Sequence, residues 1–144
     1  MTGIFHKARK AYMKKYRCGL LFGSFDPLHY GHIRLIRKAR ELCCAVYVCI
    51  DSDDLIRDTK HREPMSGEIA RAKDMRDIKG VLQVGVKSEK ANKKFWIRHF
   101  RPDVLIKGSD WIGKDWGGEG LGVEVKYVPY TKGISSTMFH EAKI

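Results

Sequence analysis

The sequence contains no apolar run that approaches the roughly 20 residues a helix needs to span a bilayer. We therefore expect no membrane partner. The opening residues, MTGIFHKARKAYMKKYR, contain neither the uninterrupted apolar segment nor the small-residue cleavage site of a secretory signal. A cytoplasmic location is the expectation that follows from these two absences.

Cysteine is also scarce. The sequence has four, Cys18, Cys43, Cys44 and Cys49, and none belongs to a C-x-x-C pair that is repeated downstream. This spacing predicts neither a zinc site nor a disulfide framework, so we expect no metal centre built from protein ligands. Three of the cysteines lie in or beside the apolar segment LCCAVYVCI, where free cysteine behaves as a small buried hydrophobe.

Acidic residues are few, 17 against 28 lysines and arginines, which gives a formal net charge of +11. Residues 1–17 hold six of the basic residues and none of the acidic ones, so the remainder carries +5. The remainder is thus only moderately basic, as suits an enzyme with anionic substrates.

The charge distribution also suggests how the chain is divided. We predict that residues 1–17 form a basic N-terminal helical extension, with a helix over Ile4–Tyr16, and that residues 18–144 form one domain. An alternative of another class is a module that binds nucleic acid or an anionic surface through this basic N-terminus. We favour nucleic acid less as a partner, because most of the domain lacks a comparable excess of charge.

Beyond residue 17, apolar and amphipathic segments alternate along the chain. The apolar or extended segments are Cys18–Phe22, Ala45–Ile50, Val81–Val86, Asp103–Ile106 and Val123–Val128. The helical patterns cover Gly31–Leu42, Glu68–Ile78, Asn92–Phe100 and a final helix from about Ser135. This order predicts an α/β fold, a single Rossmann-like domain with a parallel sheet flanked by helices on both faces. In such sheets ligands bind beyond the carboxyl ends of the strands.

The segment GSFDPLHYGH, residues 23–32, follows the first predicted strand. It has small residues where the chain must turn, a proline that delays the helix, and His29 and His32 three residues apart at the helix start. Backbone N–H groups and the positive end of the helix dipole favour anions there. The pattern therefore predicts a polyphosphate site, in which the two histidines donate to neighbouring phosphates.

Two further segments follow later strands. KGSDW comes after the fourth strand, and TKGISST, residues 131–137, comes after the last. Ser135 or Ser136 is a natural N-cap for the final helix, and the hydroxyl groups of this segment can bind phosphate oxygens.

These motifs carry a resemblance to a known family. GSFDPLHYGH resembles the HxGH signature of the cytidylyltransferase-like nucleotidyltransferase superfamily, and TKGISST resembles its element that covers the triphosphate. The resemblance implies that His29 and His32 stabilise the pentacoordinate transition state at the α-phosphorus, with no side-chain nucleophile. It also implies Mg²⁺ as cofactor, a nucleoside triphosphate and a phosphorylated small molecule as partners, and a homodimer.

The same resemblance assigns further site residues. Lys60, in the basic loop Arg57–Arg62, matches a lysine that closes on the phosphates, and we expect it to be catalytic. Substrate-binding roles fall to Trp111, Arg62 and Arg71, with Arg76 competing with Arg71. Asp26 is a candidate to take part in Mg²⁺ binding, and the alternative is that it only caps the turn. The expected nucleotide-binding residues are Gly23, Ser24, Phe25, Asp26, His29, His32, Gly108, Asp110, Thr131, Gly133, Ile134, Ser135, Ser136 and Thr137.

The choice of substrates depends on residues 104–116. VLIKGSDWIGKDW resembles a segment of glycerol-3-phosphate cytidylyltransferases, so the leading expectation is CTP and glycerol 3-phosphate giving a CDP-type product and pyrophosphate. PDVLIKGSDW is also similar to the adenylyltransferase that activates heptose 1-phosphate, so ATP with a sugar phosphate is the alternative. The chain departs from the glycerol-3-phosphate pattern at Tyr130, where that branch usually has arginine, and at Lys132, where an acidic residue is common.

Overall fold

The computed structural model describes residues 14–89 and 92–130. Its elements alternate between strand and helix in the predicted order. They are β1 (Tyr16–Gly23), α1 (Tyr30–Leu42), β2 (Cys43–Asp51), α2 (Asp53–Lys60), α3 (Glu68–Arg76), β3 (Val81–Lys87), α4 (Lys93–Phe100), β4 (Val104–Gly108) and β5 (Glu124–Val128). A single 3₁₀ turn, Ser109–Trp111, follows β4.

The five strands form one parallel sheet in the order β3-β2-β1-β4-β5. Successive residues of β1 enter different cores, because side chains alternate across a strand. Leu21 packs with apolar residues of α1 and α3, whereas Leu20 and Phe22 pack with α4 on the opposite face. The predicted α/β fold with helices on both faces is therefore confirmed.

The strand order creates a topological switch point at the centre of the sheet. The chain runs outward from β1 through β2 to β3 and then returns to β4, which pairs with the other side of β1. The connections therefore diverge at the carboxyl ends of β1 and β4. In doubly wound sheets this switch point is where ligands bind.

In the structure the first strand begins at Tyr16, two residues before the predicted start at Cys18. Tyr16 was expected at the end of a helix, but it lies in β1, pairs with Cys43, and its Oη donates to Glu124 Oε1 at 2.7 Å. Burial of its ring, which is 5% exposed, stabilises the extended conformation. The rest of the predicted helix, through residue 13, lies outside the described residues, and the division at residue 17 stays a prediction.

The predicted loop Arg57–Arg62 is also partly wrong, because its first four residues belong to α2. Ser52 caps this helix by accepting the Leu55 N–H at 3.1 Å, and Leu55 and Ile56 are buried beneath it. The helix ends only at His61, which has φ of 54°.

Two smaller expectations concern Cys44 and the last helix. Cys43 and Cys49 are buried as expected, but Cys44 is exposed because it points to the other face of β2. The final helix from Ser135 lies outside the described residues. Within residues 14–89 and 92–130, no helix has the length and apolar character to cross a membrane.

The packing of α1 gives a test of the core. Ile36 is fully buried in the middle of α1, so we expect Ile36→Ala to lower the free energy of unfolding by about 2–5 kcal/mol. The same substitution at Ile69, which is 82% exposed on α3, should change it by less than about 0.5 kcal/mol. Urea unfolding of both variants measures the difference. Equal losses would contradict this placement of the core.

Candidate active site

Two adjoining cavities open at the carboxyl ends of β1 and β4. The larger has a volume of about 430 Å³ and the smaller about 230 Å³. Six residues line both and so form the border between them, namely Phe22, Gly23, Ser24, Lys60, Lys107 and Trp111. The site therefore offers two adjacent compartments with shared cations at the boundary.

The two histidines form the N-terminal cap of α1. His29 Nδ1 accepts the Gly31 N–H at 3.1 Å, and His32 Nδ1 accepts the His29 N–H at 3.3 Å. A ring nitrogen that accepts a hydrogen bond carries no proton, so each neutral ring carries its hydrogen on Nε2. The rings stack with centroids 3.6 Å apart. The backbone thus fixes both tautomers, and both rings become Nε2–H donors.

Burial keeps these rings uncharged. It lowers the pKa of His32 to about 3, with smaller contributions from His29, Lys60 and Lys107, and it also lowers the pKa of His29. Both histidines are therefore neutral near pH 7. His32 lines the smaller cavity, where its Nε2–H can donate to a phosphate oxygen.

Tyr130 extends this donor system. Its Oη lies 3.0 Å from His29 Nε2, and since that nitrogen carries the hydrogen, His29 donates to Tyr130. Burial raises the pKa of the Tyr130 phenol, with a contribution from Asp110, so the O–H remains a donor. The sequence had marked Tyr130 only as a departure from the expected arginine. In the structure it lines the smaller cavity beside His32.

Lys60 reaches the site from the end of α2. Its Nζ donates to Ser24 Oγ at 2.6 Å, and both residues line both cavities. The structure therefore brings Lys60 to the predicted place, next to the motif loop that follows β1.

Lys107 is a second border cation, and sequence reasoning missed it. Its Nζ donates to the Phe22 carbonyl at 3.0 Å and lies 4.5 Å from the Trp111 ring centroid and 5.0 Å from that of Trp116. Burial, followed by the charge of Lys93, lowers its pKa to about 8. The available signal was a lysine in the otherwise apolar strand VLIKG.

Asp26 makes its hydrogen bonds within the protein, in agreement with a role in holding the turn. Its carboxylate is fully buried and accepts from Arg62 Nη1 at 2.7 Å and from the backbone N–H groups of Met65 and Ser66 at 2.9 and 2.7 Å. Burial alone would raise the pKa of Asp26, but these hydrogen bonds outweigh it and lower the pKa. Asp26 lines neither cavity, and its contacts hold the motif loop against the segment that contains Arg62, Met65 and Ser66.

Arg71, which the resemblance assigned to substrate binding, is buried and lines neither cavity. Arg71 is 1% exposed, and its guanidinium donates to Asp53 Oδ1 and to three backbone carbonyls, those of Ser24, Asp51 and Ser66. It therefore joins the motif loop to the end of β2.

The other two predicted arginines also lie away from the cavities. Arg62 contacts the Asp26 carboxylate and the carbonyls of Asp26 and Glu63, and Arg76 is exposed in the last turn of α3. Neither of them lines either cavity.

Several predicted nucleotide-binding residues do meet in the smaller cavity. Gly23, Ser24, Phe25, His32, Gly108 and Asp110 all line it. Little room is left beside Gly108, because a Cβ there would lie 2.6 Å from Asp110 Oδ1 and 3.1 Å from the Tyr130 Cβ. That Asp110 oxygen is buried and has no hydrogen-bond partner within the part of the chain that the structure describes. The predicted residues Thr131, Gly133, Ile134, Ser135, Ser136 and Thr137 lie outside the described residues.

The sequence analysis predicted none of the residues that line only the larger cavity. Its own lining includes Asp51, Lys87, Lys93 and Trp116. Lys87 Nζ lies 3.2 Å from Asp51 Oδ1, and both residues end neighbouring strands. Over residues 14–89 and 92–130, no group of three or more His, Cys, Asp or Glu side chains is arranged to hold a metal ion.

A model of the cytidylyltransferase-like family matches residues 20–142 of the chain. The chain belongs to this family. It is accordingly a nucleotidyltransferase, as the resemblance carried by GSFDPLHYGH and TKGISST implied.

Curated relatives support the assignment over a limited length. The chain is 31% identical over 120 residues to the "Bifunctional protein HldE" of a Nitratiruptor species, which covers 83% of this chain and 26% of the relative. It is 36% identical over 129 residues to the protein of the same name in Koribacter versatilis, covering 83% and 25%. The chain thus spans about a quarter of the length of these relatives.

Solved structures share the fold. The lipopolysaccharide core biosynthesis protein from Thermoplasma volcanium matches with a TM-score of 0.66 at 22% identity, covering 83% of this chain and 99% of that one. A bifunctional NMN adenylyltransferase/ADP ribose pyrophosphatase from Francisella tularensis, complexed with AMP and a Mn ion, matches with a TM-score of 0.53 at 16% identity, covering 88% and 41%. At these identities the likeness establishes only the fold of this cytidylyltransferase-like chain.

The tautomers of the cap can be measured directly. We expect nitrogen-15 NMR of the imidazoles at pH 7 to show His29 and His32 neutral with the hydrogen on Nε2, because both Nδ1 atoms accept backbone hydrogen bonds. His32 should stay neutral down to about pH 5, since its pKa is held near 3. His32→Asn identifies its resonances. A signal from His32 that is protonated on both nitrogens at pH 6 would contradict this description.

The Asp26 contacts predict a pH-dependent loss of stability. Asp26→Asn should lower the free energy of unfolding at pH 7 by about 1–3 kcal/mol, because charged hydrogen bonds are weakened in a buried site. The pKa of Asp26 is lower in the folded state, so its stabilisation is present above about pH 4 and is lost as the pH falls further. The difference in free energy of unfolding between the wild type and Asp26→Asn should therefore become smaller in acid.

The matched control for this experiment is Asp54→Asn. The Asp54 side chain is 92% exposed and pairs only at the surface with Arg57, so its loss should matter little. A gap that is constant from pH 7 to pH 3, or equal effects of the two variants, would contradict the role assigned to Asp26.

Proposed function

We propose that this chain transfers an adenylyl group from ATP to the phosphate of a sugar phosphate of the heptose 1-phosphate type, with release of pyrophosphate. The observation that carries the proposal is the capped histidine pair, in which His32, with its hydrogen on Nε2, lines the smaller cavity together with the border cations Lys60 and Lys107. Such an arrangement suits an α-phosphoryl group whose oxygens carry the negative charge that develops during displacement.

The reaction needs one bond to form and one to break. An oxygen of the acceptor phosphate attacks the α-phosphorus of ATP, and the bond from that phosphorus to the oxygen bridging to the β-phosphate breaks, so pyrophosphate leaves. No side chain becomes covalently attached. The chain contributes by positioning the reactants and by stabilising the charge that develops on the α-phosphoryl oxygens.

His32 and the border lysines divide this work. Because His32 is neutral and its tautomer is fixed, its Nε2–H needs no reorganisation to donate in the transition state. Lys60 and Lys107 add full charges that are only partly screened by solvent, which makes them more effective than surface cations. His29 acts in the same system through its hydrogen bond to Tyr130.

The choice of ATP rests on the relatives. The bifunctional HldE proteins support the adenylyltransferase alternative better than the leading expectation of CTP and glycerol 3-phosphate. Tyr130 agrees with this choice, since it replaces the arginine usual in the glycerol-3-phosphate branch. PDVLIKGSDW, the segment that resembled the heptose 1-phosphate enzyme, supplies Lys107, Gly108 and Asp110 to the site.

Mg²⁺ belongs to the proposal as an ion carried by the triphosphate. In sites of this kind Mg²⁺ binds through one or two carboxylates, substrate phosphates and waters. The buried Asp110 Oδ1, which has no hydrogen-bond partner among the described residues, fits the protein's share of such a site. The ion would neutralise triphosphate charge and orient the leaving pyrophosphate.

The homodimer, which the resemblance implies, and the cytoplasmic location, which the sequence analysis predicted, also belong to this proposal. The alternative of a binding module for nucleic acid rests on residues of the N-terminal extension, most of which lie outside the described residues. It is tested by removing residues 1–13 and measuring RNA affinity at fixed salt.

The decisive assay follows pyrophosphate release with Mg²⁺ and either ATP or CTP, against heptose 1-phosphate, glycerol 3-phosphate and phosphocholine. We expect turnover with ATP and heptose 1-phosphate. His32→Asn should lower kcat by about 100-fold to 1,000-fold, since it removes a preorganised donor. His99→Asn, an exposed residue of α4 that lines neither cavity, is the matched control and should retain activity.

If turnover occurred only with the pair CTP and glycerol 3-phosphate, that result would restore the cytidylyltransferase hypothesis. Full activity of His32→Asn would refute the proposed role of the capped histidine pair.

A further inference from the structure

We propose that Tyr130 is a catalytic residue whose hydroxyl group donates to an α-phosphoryl oxygen of the nucleotide, and that His29 is a positioning residue that acts through Tyr130. This inference rests on the proposed function and specifies which side chains touch the phosphate. The resemblance implies the same direct role for both histidines of the motif. In the structure His32 and Tyr130 line the smaller cavity, whereas His29 lines neither of the two cavities. The geometry therefore separates the roles of the two histidines.

The hydrogen bond between His29 and Tyr130 runs in one direction. Burial lowers the pKa of His29, so its ring is neutral near pH 7. Its Nδ1 accepts the Gly31 N–H at 3.1 Å, so the ring hydrogen lies on Nε2, which is 3.0 Å from Tyr130 Oη. The phenolic oxygen therefore accepts from His29 and keeps its own hydrogen out of this contact. That hydrogen can donate to a ligand in the smaller cavity, which Tyr130 lines.

Contacts at both ends of the residue hold Tyr130 in place. Its backbone N–H donates to Ser109 Oγ at 3.3 Å, and its side chain packs against Gly108, where a Cβ would come within 3.1 Å of the Tyr130 Cβ. At the other end His29 holds the hydroxyl group. His29 is itself fixed by the cap of α1 and by stacking on His32. A donor that is positioned in this way needs no reorganisation when charge develops on the phosphate.

The Tyr130 ring also lies beside the ring of His32. The centroids of these two rings are 6.1 Å apart, and the centroids of His29 and Tyr130 are separated by the same 6.1 Å. Both His32 and Tyr130 line the smaller cavity, so one Nε2–H donor and one O–H donor are neighbours there. Donors on neighbouring rings can contact two oxygens of the same phosphoryl group. Tyr130 therefore takes the second place beside His32.

A neutral donor suits the charges around it. Lys60 and Lys107 line the same cavity, and their positive charges repel each other. An arginine at position 130, the residue usual in the glycerol-3-phosphate branch, would add a third charge. Burial and the charge of Asp110 raise the pKa of the Tyr130 phenol, so it keeps its hydrogen at neutral pH. Tyr130 therefore donates to a phosphate without adding to this repulsion.

Removal of the hydroxyl group alone tests its role in the reaction. Tyr130→Phe keeps the ring and should lower kcat with ATP and heptose 1-phosphate by about 100-fold, the effect of losing one preorganised donor, while the KM for heptose 1-phosphate changes less than about threefold. Tyr30→Phe is the matched control, because Tyr30 begins α1 and lines neither cavity. The control should retain full activity. Equal kcat values for the two variants would overturn the role assigned to Tyr130.

A double-mutant cycle tests whether His29 acts through Tyr130. His29→Asn keeps a preferred N-cap residue and removes the imidazole donor, so it should lower kcat about tenfold while α1 stays capped. In the Tyr130→Phe background the same change should lower kcat by less than about twofold, because the hydroxyl that His29 positions is already absent. Urea unfolding confirms that each variant is folded. Losses that multiply in the double variant would show that His29 acts independently and would overturn its positioning role.

Calorimetric titration with the α,β-methylene analogues of ATP and CTP, whose bond between the α- and β-phosphates cannot be cleaved, separates this inference from the proposed function. Suppose that wild type shows no turnover with any acceptor but binds one analogue. If Tyr130→Phe then weakens that binding about tenfold and Tyr30→Phe leaves it unchanged, the proposed function fails and the phosphate contact of Tyr130 stands. If the two phenylalanine variants bind equally in that case, or if wild type binds neither analogue, the contact is refuted as well.

Discussion

The buried carboxylate of Asp26 holds the loop on which the site depends. Its contacts with Arg62 and with the backbone N–H groups of Met65 and Ser66 tie the loop after β1 to the connection between α2 and α3. Arg71, 4.0 Å from Asp26, donates to backbone carbonyls on both sides of the same junction. A buried charge is tolerated only when it is paired and hydrogen-bonded, so this network admits few arrangements of the loop.

The conformation of that loop determines the chemistry of the histidines. The loop places His29 at the N-cap of α1. Its ring can therefore accept a hydrogen bond from a backbone N–H group of the first turn of the helix. Capping by carboxylates or hydroxyls is more common, and it would leave no neutral ring donor at this point. Here the groups that cap the helix also become oriented Nε2–H donors, so the start of α1 and the orientation of these donors have one cause.

The sequence was sufficient for the fold and for placing candidate site residues at the carboxyl ends of the strands, but not for the contacts of each charged residue. Alternating apolar periods predict strands and helices, and strand ends predict where ligands bind, because both follow from local pattern. Whether Arg71 faces a ligand or the protein depends on which carbonyls tertiary packing brings within reach, and no local pattern encodes this. Lys107 was missed because a lysine in a buried strand gains its environment from Trp111 and Trp116, which follow it in the chain.

Contacts at the border between the cavities explain why the buried Lys107 is compatible with folding. Lys107 loses hydration, yet its ammonium donates to the Phe22 carbonyl and lies against two indole rings, which compensates part of that loss. Its pKa near 8 leaves most of the population charged at pH 7, because burial has not driven it below neutrality. A cation held in this way is repelled by Lys93 and Lys60, and an anionic ligand relieves that repulsion. Ligand binding and local electrostatic stability are therefore coupled at this border, since phosphate groups supply the countercharge that the nearby carboxylates supply only in part.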